Sequence, residues 1–174
     1  VEFSNIAAGI VVSKLGTYAI SFAELQIALA ELIDTQLVEQ RKMIESPGYA
    51  MSIIEHWRLS GKRIVFTNGC FDLLHLGHVN LLKTAKKLGD KLVVGLNSDS
   101  SVRRLKGSQR PVLNEQDRFS VILALECVDI VIIFEDDTPL ELIKKIKPDV
   151  LVKGADYTKA QVVGNDIIDS WGGR

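Results

Sequence analysis

Two histidines flank a glycine in residues 68–78, where His75 and His78 stand on either side of Gly77. Apolar residues at helical spacing follow, so this pattern lies at the start of a predicted helix. Free N–H groups and the helix dipole at such a terminus favour an anion, and two imidazoles add further donors. A glycine lets a phosphate approach the backbone. The segment therefore predicts a phosphate site.

Two other interpretations of this segment stay open. One histidine could cap the helix while the other lies on the surface. Alternatively, Asp72, His75 and His78 could bind a metal, although no HExxH motif and no Cys/His quartet supports this.

Motifs of several other enzyme classes are absent from the sequence. There is no GxxxxGK[ST] segment, which excludes a P-loop enzyme, and no GxGxxG follows the first predicted strand, which argues against a dinucleotide-dependent oxidoreductase. A GxSxG elbow is also missing, so a serine hydrolase would have no nucleophile.

Short apolar runs rich in Val and Ile alternate with helical patterns from Ile64 onward. Such runs suit strands buried on both faces of a parallel sheet, and they fall at 64–67, 92–96, 130–134 and 150–152. Helices are predicted at 77–88, from an Asn114 cap to residue 124, and from a Thr138 cap to residue 147. The order predicts an α/β fold with a Rossmann-like open parallel sheet.

Polar residues follow each predicted strand, at the carboxyl edge where open α/β sheets bind ligands. They are residues 68–78, then Asn97, Ser98, Asp99, Arg103, Arg104 and Lys106, then residues 135–138, and finally residues 153–156. We therefore expect a ligand site at this edge, although the two arginines could simply belong to a solvated surface.

The first 60 residues show helical patterns of their own. Residues 3–15 are apolar nearly all round, and a capping box at residues 21–24 precedes apolar residues at helical spacing. A short helix through Ile53, Ile54 and Trp57 is expected before Gly61. A helical N-terminal appendage therefore precedes the sheet.

The composition is typical of a soluble globular protein, with 174 residues, 47% apolar and 25% charged, and a net charge of −1. This balance gives no support for a nucleic-acid or membrane-surface partner. No apolar run is long enough to span a bilayer, and the first residues lack the features of a secretory signal. Cys70 and Cys127 are far apart and are typical of reduced thiols, so a cytoplasmic location is expected.

Residues Gly69-x-Phe71-Asp72-x-x-His75-x-Gly77-His78 together resemble the signature of the nucleotidyltransferase superfamily that includes cytidylyltransferases and several adenylyltransferases. Within it, the chain is similar to the adenylyltransferase half of bifunctional bacterial heptose kinase/adenylyltransferases. The segments that carry this likeness are 66–72, 110–112, 134–139 and 151–154. Residues 5–17 also resemble the last helix of a ribokinase-like sugar kinase, the other half of those enzymes.

This resemblance implies transfer of AMP from ATP to D-glycero-β-D-manno-heptose 1-phosphate, giving ADP-heptose and pyrophosphate for the lipopolysaccharide core. ATP is then a substrate, Mg²⁺ the cofactor and the sugar 1-phosphate the acceptor. It also implies that residues 1–60 are the tail of a kinase domain plus a linker, with the rest of the kinase upstream. Residues 61–174 are then a nucleotidyltransferase domain truncated at its C-terminus, because the late Ile-Ser-Thr-Thr-type motif of the superfamily is absent. No kinase activity is expected, since the kinase's Gly-Ala-Gly-Asp motif is also absent.

The resemblance assigns roles to the matching positions. Catalysis falls to His75 and His78 as donors to the phosphates and to Lys106 as a mobile cation. Nucleotide and phosphate binding fall to Asn68, Gly69, Phe71, Asp72, Gly77, Asn97, Asp99 and Arg118, and the substrate or base pocket to Lys153, Gly154 and Asp156. No side chain binds the metal directly, because Mg²⁺ binds through the phosphates. Asp72 either holds it through water or caps a turn, and Asp156 could equally cap a helix.

Other functions stay open at this point. The same reaction could use another acceptor, such as glycerol phosphate with CTP, or a flavin or pantetheine phosphate with ATP. A non-catalytic nucleotide-binding module is a second alternative, and a metal-dependent hydrolase is a third. A homodimer is expected, because apolar residues of the N-terminal part such as Phe3, Ile10 and Leu29 need to be covered.

Overall fold

The computed structural model describes residues 47–154, 158 and 161–174. The chain divides into two compact units, Val1–Met43 and Ile44–Arg174. The first unit lies outside the described residues, as do the helices predicted within it. The second unit contains the sheet.

Four parallel strands form this sheet, and they coincide with the four apolar runs of the sequence. Strands β1 (Ile64–Gly69), β2 (Lys91–Asn97), β3 (Ile130–Phe134) and β4 (Val150–Val152) lie in the order β3-β2-β1-β4. The predicted Rossmann-like open parallel sheet is therefore confirmed. The direction of strand addition reverses between β1 and β4, and open α/β sheets bind ligands beyond the carboxyl ends of the strands at such a point.

Helices cover the sheet and explain why its strands are continuously apolar. They are α1 (Pro47–Leu59), α2 (Leu76–Lys86), α3 (Asp99–Lys106), α4 (Glu115–Leu123), α5 (Leu140–Ile146) and α6 (Asn165–Ile168), which leads into a 3-10 turn at Asp169–Trp171. Helix α1 packs on β1, β3 and α5, whereas α2 and α4 pack on the strands around β2. Val65, Phe66, Val93 and Val94 are completely buried, as expected for strands covered on both faces.

The helix boundaries test the predicted caps. Asn114 caps α4 as predicted, because its side chain accepts a hydrogen bond from the Asp117 N–H at 2.9 Å. The predicted Thr138 cap is wrong. The carbonyl of Pro139 accepts the first helical bond, from Ile143 at 2.8 Å, so Pro139 is the capping residue and the helix begins at Leu140.

Helix α3 has no counterpart in the sequence prediction, because only two of its eight residues, Val102 and Leu105, are apolar, too few to indicate a helix. Ser98 caps it by accepting a hydrogen bond from the Ser101 N–H at 3.2 Å. The helix places Lys106 at its last position. Among the described helices, none has both the length and the apolar composition that crossing a bilayer requires.

Candidate functional site

The loop that joins β1 to α2 lies at the carboxyl edge of the sheet, beside the point where strand order reverses. Phe71 in this loop has a φ of 44°, in the left-handed region, and its ring is only 5% exposed. The ring meets His78 edge-on with the centroids 5.2 Å apart. A Cβ at Gly69 would lie 3.2 Å from the same ring, so a glycine there leaves room for it. The buried phenylalanine thus fixes the course of the loop just before the histidines.

His75 caps helix α2. Its Nδ1 accepts a hydrogen bond from the Gly77 N–H at 3.1 Å, so the capping interpretation is correct for this residue. The cap uses only Nδ1, and Nε2 of the neutral ring therefore carries the proton and can donate to a ligand. A Cβ at Gly77 would lie 2.9 Å from Cε1 of His75, which makes glycine a requirement for this contact.

The rings of His75 and His78 stack, with centroids 3.9 Å apart and planes inclined by 26°. His75 is exposed and His78 is half-buried. Burial lowers the pKa of His78 below its ordinary value of 6.5, and the charges of His75 and Lys106 act in the same direction, against the Leu73 backbone. Two imidazoles therefore lie side by side at the N-terminus of α2, where an anion is favoured.

Lys106 approaches this pair from α3. Its side chain is exposed, and its charge is close enough to contribute to the lowered pKa of His78. The helix that carries it is bound to the loop after β3, because Ser101 Oγ donates to the Asp136 carbonyl at 3.1 Å and Arg104 Nε lies 2.7 Å from Asp137 Oδ1. The stacked histidines and the charge of Lys106 therefore act on one region of the sheet edge.

The position of Arg118 does not fit its assignment as a phosphate ligand. Its side chain is completely buried, and its guanidinium donates to four protein oxygens at 2.6–3.0 Å: the carbonyls of Leu113, Cys70 and Asn97 and the carboxylate of Asp99. A phosphate has no access to a guanidinium used in this way. The arginine instead joins the β1–α2 loop, the end of β2 and the start of α4.

Asn97 and Asp99 also serve this framework rather than an open pocket. The side-chain amide of Asn97 donates to Ser101 Oγ at 3.0 Å, and Asn97 is only 3% exposed. The carboxylate of Asp99 lies 2.7 Å from Arg118 Nη2, and its backbone N–H donates to Glu115. The nucleotide contacts assigned to these two side chains do not fit their observed partners.

Asp72 lies in the β1–α2 loop and is 5% exposed. Its Oδ2 lies 2.7 Å from Arg110 Nη1 and its Oδ1 accepts from the Val112 N–H at 2.6 Å. Burial by itself would raise the pKa of Asp72, but the hydrogen bonds from Val112, Arg110 and Leu113 and the charge of Arg110 lower it below 3.8. Both oxygens therefore have protein partners, which fits the interpretation of Asp72 as a turn-capping carboxylate that anchors the loop.

Arg110 and Val112 are the site neighbours that the sequence analysis missed. Their segment contributed only to the family likeness, and nothing in the local pattern pairs either residue with Asp72, about 40 positions earlier. Within the described part of the chain, no group of three or more His, Cys, Asp or Glu side chains is arranged to hold a metal ion.

Lys153 follows β4, on the other side of the strand-order reversal. Its Nζ donates to the Asn68 carbonyl at 2.9 Å. Burial lowers the pKa of Lys153, while the neighbouring Cys70 acts in the opposite direction. Gly154 comes next and is half-buried, and Asp156 lies outside the described residues. A second cationic side chain therefore borders the same sheet edge as the histidines.

Comparison with known proteins adds a sequence match over the same region. The sequence profile of the family described as cytidylyltransferase-like matches residues 66–170, which include every strand end described above.

Individual relatives cover more of the chain. The "Bifunctional protein HldE" of Magnetococcus marinus is 53% identical over 173 residues, which is 99% of this chain and 35% of that protein. The protein of the same name from Methylobacillus flagellatus is 53% identical over 174 residues, again 35% of its length. The chain thus spans about a third of the length of these curated relatives.

A solved structure agrees with the fold. The crystal structure of the lipopolysaccharide core biosynthesis protein from Thermoplasma volcanium superposes with a TM-score of 0.56 at 35% identity. The match covers 65% of this chain and 91% of that one.

Proposed function

We propose, from the premise that this chain belongs to the cytidylyltransferase-like family, that it transfers AMP from ATP to heptose 1-phosphate, giving ADP-heptose and pyrophosphate. The choice of adenine and heptose rests on the likeness to heptose kinase/adenylyltransferases described above. The identity to proteins named HldE and to a lipopolysaccharide core biosynthesis protein supports the same acceptor.

The observation that carries the proposal is the stacked His75–His78 pair at the N-terminus of α2. One ring nitrogen of His75 is fixed by the Gly77 amide, and the other is left as a donor. Backbone N–H groups, the helix dipole and Lys106 act on the same patch. This arrangement suits stabilisation of negative charge, which is the main demand that phosphoryl transfer makes on a protein.

The reaction requires no strong base. A sugar phosphate is largely a dianion at pH 7, because its second pKa is about 6. One of its oxygens attacks the α-phosphorus of ATP in line, a new P–O bond forms, and the bond to the β-phosphate breaks with pyrophosphate as the leaving group. His75, His78 and Lys106 stabilise the charge that builds on the α- and β-phosphate oxygens.

Mg²⁺ enters this proposal as part of the substrate MgATP. Asp72 is assigned no contact with it, because this buried carboxylate already binds Arg110 and the Val112 N–H. We therefore assign no step to a protein-bound metal.

The remaining polar residues at the sheet edge divide into two groups. Arg118, Asp99, Asn97 and Asp72 make the rigid framework on which the phosphate site is built. Lys153 and Gly154, beside the end of β1, border the pocket for the base or the sugar.

The test is pyrophosphate release from MgATP with heptose 1-phosphate, compared between the protein and its His78→Ala variant. Loss of one transition-state donor should lower the rate by about 10²–10³-fold. His56→Ala is the matched control, because His56 lies on α1 and, among the described residues, its side chain makes no hydrogen bond or ion pair with a proposed site residue. Its rate should equal that of the unaltered protein.

Each result has a defined meaning. Equal rates for the His78→Ala and unaltered proteins would remove the histidine pair from the mechanism. Release with CTP and glycerol phosphate, but none with ATP and heptose 1-phosphate, would keep the reaction class and replace the substrates. Binding of ATP without release in the presence of any acceptor would favour a nucleotide-binding module.

Three wider features belong to the same proposal. By its likeness to bifunctional enzymes, the parent protein carries a kinase domain upstream. The cytoplasmic location follows from its two reduced cysteines, and the homodimer from the apolar residues of the N-terminal part that need to be covered. Light scattering over a range of concentrations tests the dimer, and a constant monomer mass would contradict it.

A further inference from the structure

The loop between α3 and α4, residues 107–114, joins Lys106 to the buried framework. It leaves α3 at Gly107, which has a φ of 94°, and the Arg110 N–H donates to the Gly107 carbonyl at 3.1 Å to close a turn. Beyond this turn, Asp72 binds Arg110 and the Val112 N–H, and Arg118 Nε donates to the Leu113 carbonyl at 3.0 Å. The second half of the loop is therefore anchored by two buried charged groups.

We propose that Arg110 is a positioning residue, whose ion pair with Asp72 fixes the α3–α4 loop and thereby holds Lys106 beside His75 and His78. This inference rests on the proposed function, since it needs Lys106 to act on the phosphates. It goes beyond that function, because it assigns a role to a residue that contacts none of the three catalytic side chains.

The ion pair is asymmetric in a way that suits an anchor. The side chain of Asp72 is 6% exposed, whereas that of Arg110 is 44% exposed. Asp72 lies three residues before His75 in the β1–α2 loop. A half-exposed arginine therefore joins the α3–α4 loop to a carboxylate that is fixed in the histidine loop itself. Without Arg110, that buried carboxylate would lose its charged partner.

Two supports hold the backbone at Lys106: the contacts of α3 with the loop after β3, and the Arg110–Asp72 anchor that follows it. Among the described residues, its exposed side chain makes no hydrogen bond or ion pair. Only Gly107, Ser108 and Gln109 separate it from Arg110. A shift of Arg110 away from Asp72 would therefore pass to Lys106 through one short turn. A misplacement of about 1 Å is enough to slow a positioned reaction by as much as about 10²-fold.

A double-mutant cycle distinguishes this role from direct contact between Arg110 and a substrate. Arg110→Gln, Lys106→Ala and the double variant are compared by the kcat of pyrophosphate release. If Arg110 acts through Lys106, Arg110→Gln should lower kcat by about 10-fold alone and by less than about 2-fold in the Lys106→Ala background. If the two single losses in kcat multiply in the double variant, the proposal is overturned.

Limited trypsin digestion supplies a readout that does not depend on activity. Cleavage after Lys106 should be faster in Arg110→Gln and close to the unaltered rate in Arg110→Lys, which can still pair with Asp72. Arg103→Gln is the control on the same helix, because it removes an exposed charge 3.9 Å from Asp99 and leaves the loop anchor intact. An unchanged cleavage rate in Arg110→Gln would also overturn the proposal.

The failure of this inference can be told apart from the failure of the proposed function. A Lys106→Ala protein with the unaltered kcat would remove Lys106 from the mechanism and the positioning role of Arg110 with it, while the His78→Ala result stands on its own. If Lys106→Ala lowers kcat and the losses of Lys106→Ala and Arg110→Gln multiply in the double variant, only the positioning role of Arg110 is rejected.

Discussion

The guanidinium of Arg118 lies 2.7 Å from the carboxylate of Asp99, and the arginine side chain is completely buried. The same group donates to the backbone of Cys70, Asn97 and Leu113. One side chain thus satisfies the backbone at the ends of two neighbouring strands and in the loop that precedes α4. The framework of the site is therefore a single hydrogen-bonded unit.

Replacing Arg118 should destabilise the fold strongly. Arg118→Met keeps much of the volume but leaves one carboxylate and three carbonyls without their donor, so the free energy of unfolding should fall by about 3–5 kcal/mol. Urea denaturation measures this loss. Arg103→Met is the control, since Arg103 is exposed and lies 3.9 Å from the same carboxylate, and it should cost less than about 1 kcal/mol. Equal losses in the two variants would reject the framework role.

His75→Asn should separate capping from chemistry. Asparagine is among the best N-capping residues, so the free energy of unfolding should stay within about 1 kcal/mol of the unaltered value. Asparagine cannot place a donor where the imidazole Nε2 lies, so pyrophosphate release should fall by about 10²-fold. Denaturation and the release assay measure the two effects on the same samples. Full activity in this variant would show that His75 only caps the helix.

Gly95→Ala should strain the centre of the sheet. A Cβ at this position of β2 would lie 2.9 Å from Cζ of Phe66 and 3.1 Å from Cβ of Asn68. Overpacking of this kind costs about 1–3 kcal/mol, measurable by urea denaturation. When Phe66→Leu is added, the double variant should lose less unfolding free energy than the two single variants lose together. Strict additivity would mean that the ring of Phe66 is not the obstacle.

The stability should fall as the pH decreases below about 6.5. Burial lowers the pKa of His78 in the folded state, so the unfolded chain binds a proton more readily than the folded one. The contribution of the neutral ring is complete above its ordinary pKa of 6.5 and is lost as the pH falls through the lowered pKa. The contribution of Asp72 is lost only below 3.8, where its ordinary pKa lies. Denaturation between about pH 7.5 and about pH 5 therefore measures the loss expected from His78 without the loss expected from Asp72.

His78→Gln provides the comparison for this pH dependence. Glutamine does not titrate, so the stability of the variant should change less across the same pH range. An identical slope in both proteins would assign the effect to another group.

Most of the fold could be predicted because a strand buried on both faces of a parallel sheet has a continuous run of apolar residues. The runs of β1, β2 and β3 are continuous because helices pack against these strands. The cap at Asn114 is a local interaction over three residues. Helix α3 could not be predicted in this way. Its polar residues are held by contacts with the loop after β3, which are distant in sequence.

The sequence indicated which histidines and lysine belong to one region of the sheet edge, but not which residues hold them there. His75, His78 and Lys106 are recognisable from residue type and from the family likeness, and the structure places them together. The assignment of Arg118, Asn97 and Asp99 to phosphate or nucleotide did not anticipate their contacts within the protein, because the local sequence does not show which way a polar side chain near a strand end points. The pairing of Asp72 with Arg110 spans 38 positions and depends on how two loops meet.

The hydrogen bond from the Gly77 amide to Nδ1 of His75 also determines which kind of ion the ring can accept. With Nδ1 engaged, the remaining nitrogen of the neutral imidazole bears a hydrogen and has no free lone pair. Zinc and nickel bind imidazole through such a lone pair, so either ion would first have to displace the helix cap or shift the ring proton. An oxyanion meets a donor that is already in place. The capping geometry therefore favours oxyanions over transition-metal ions without a steric barrier.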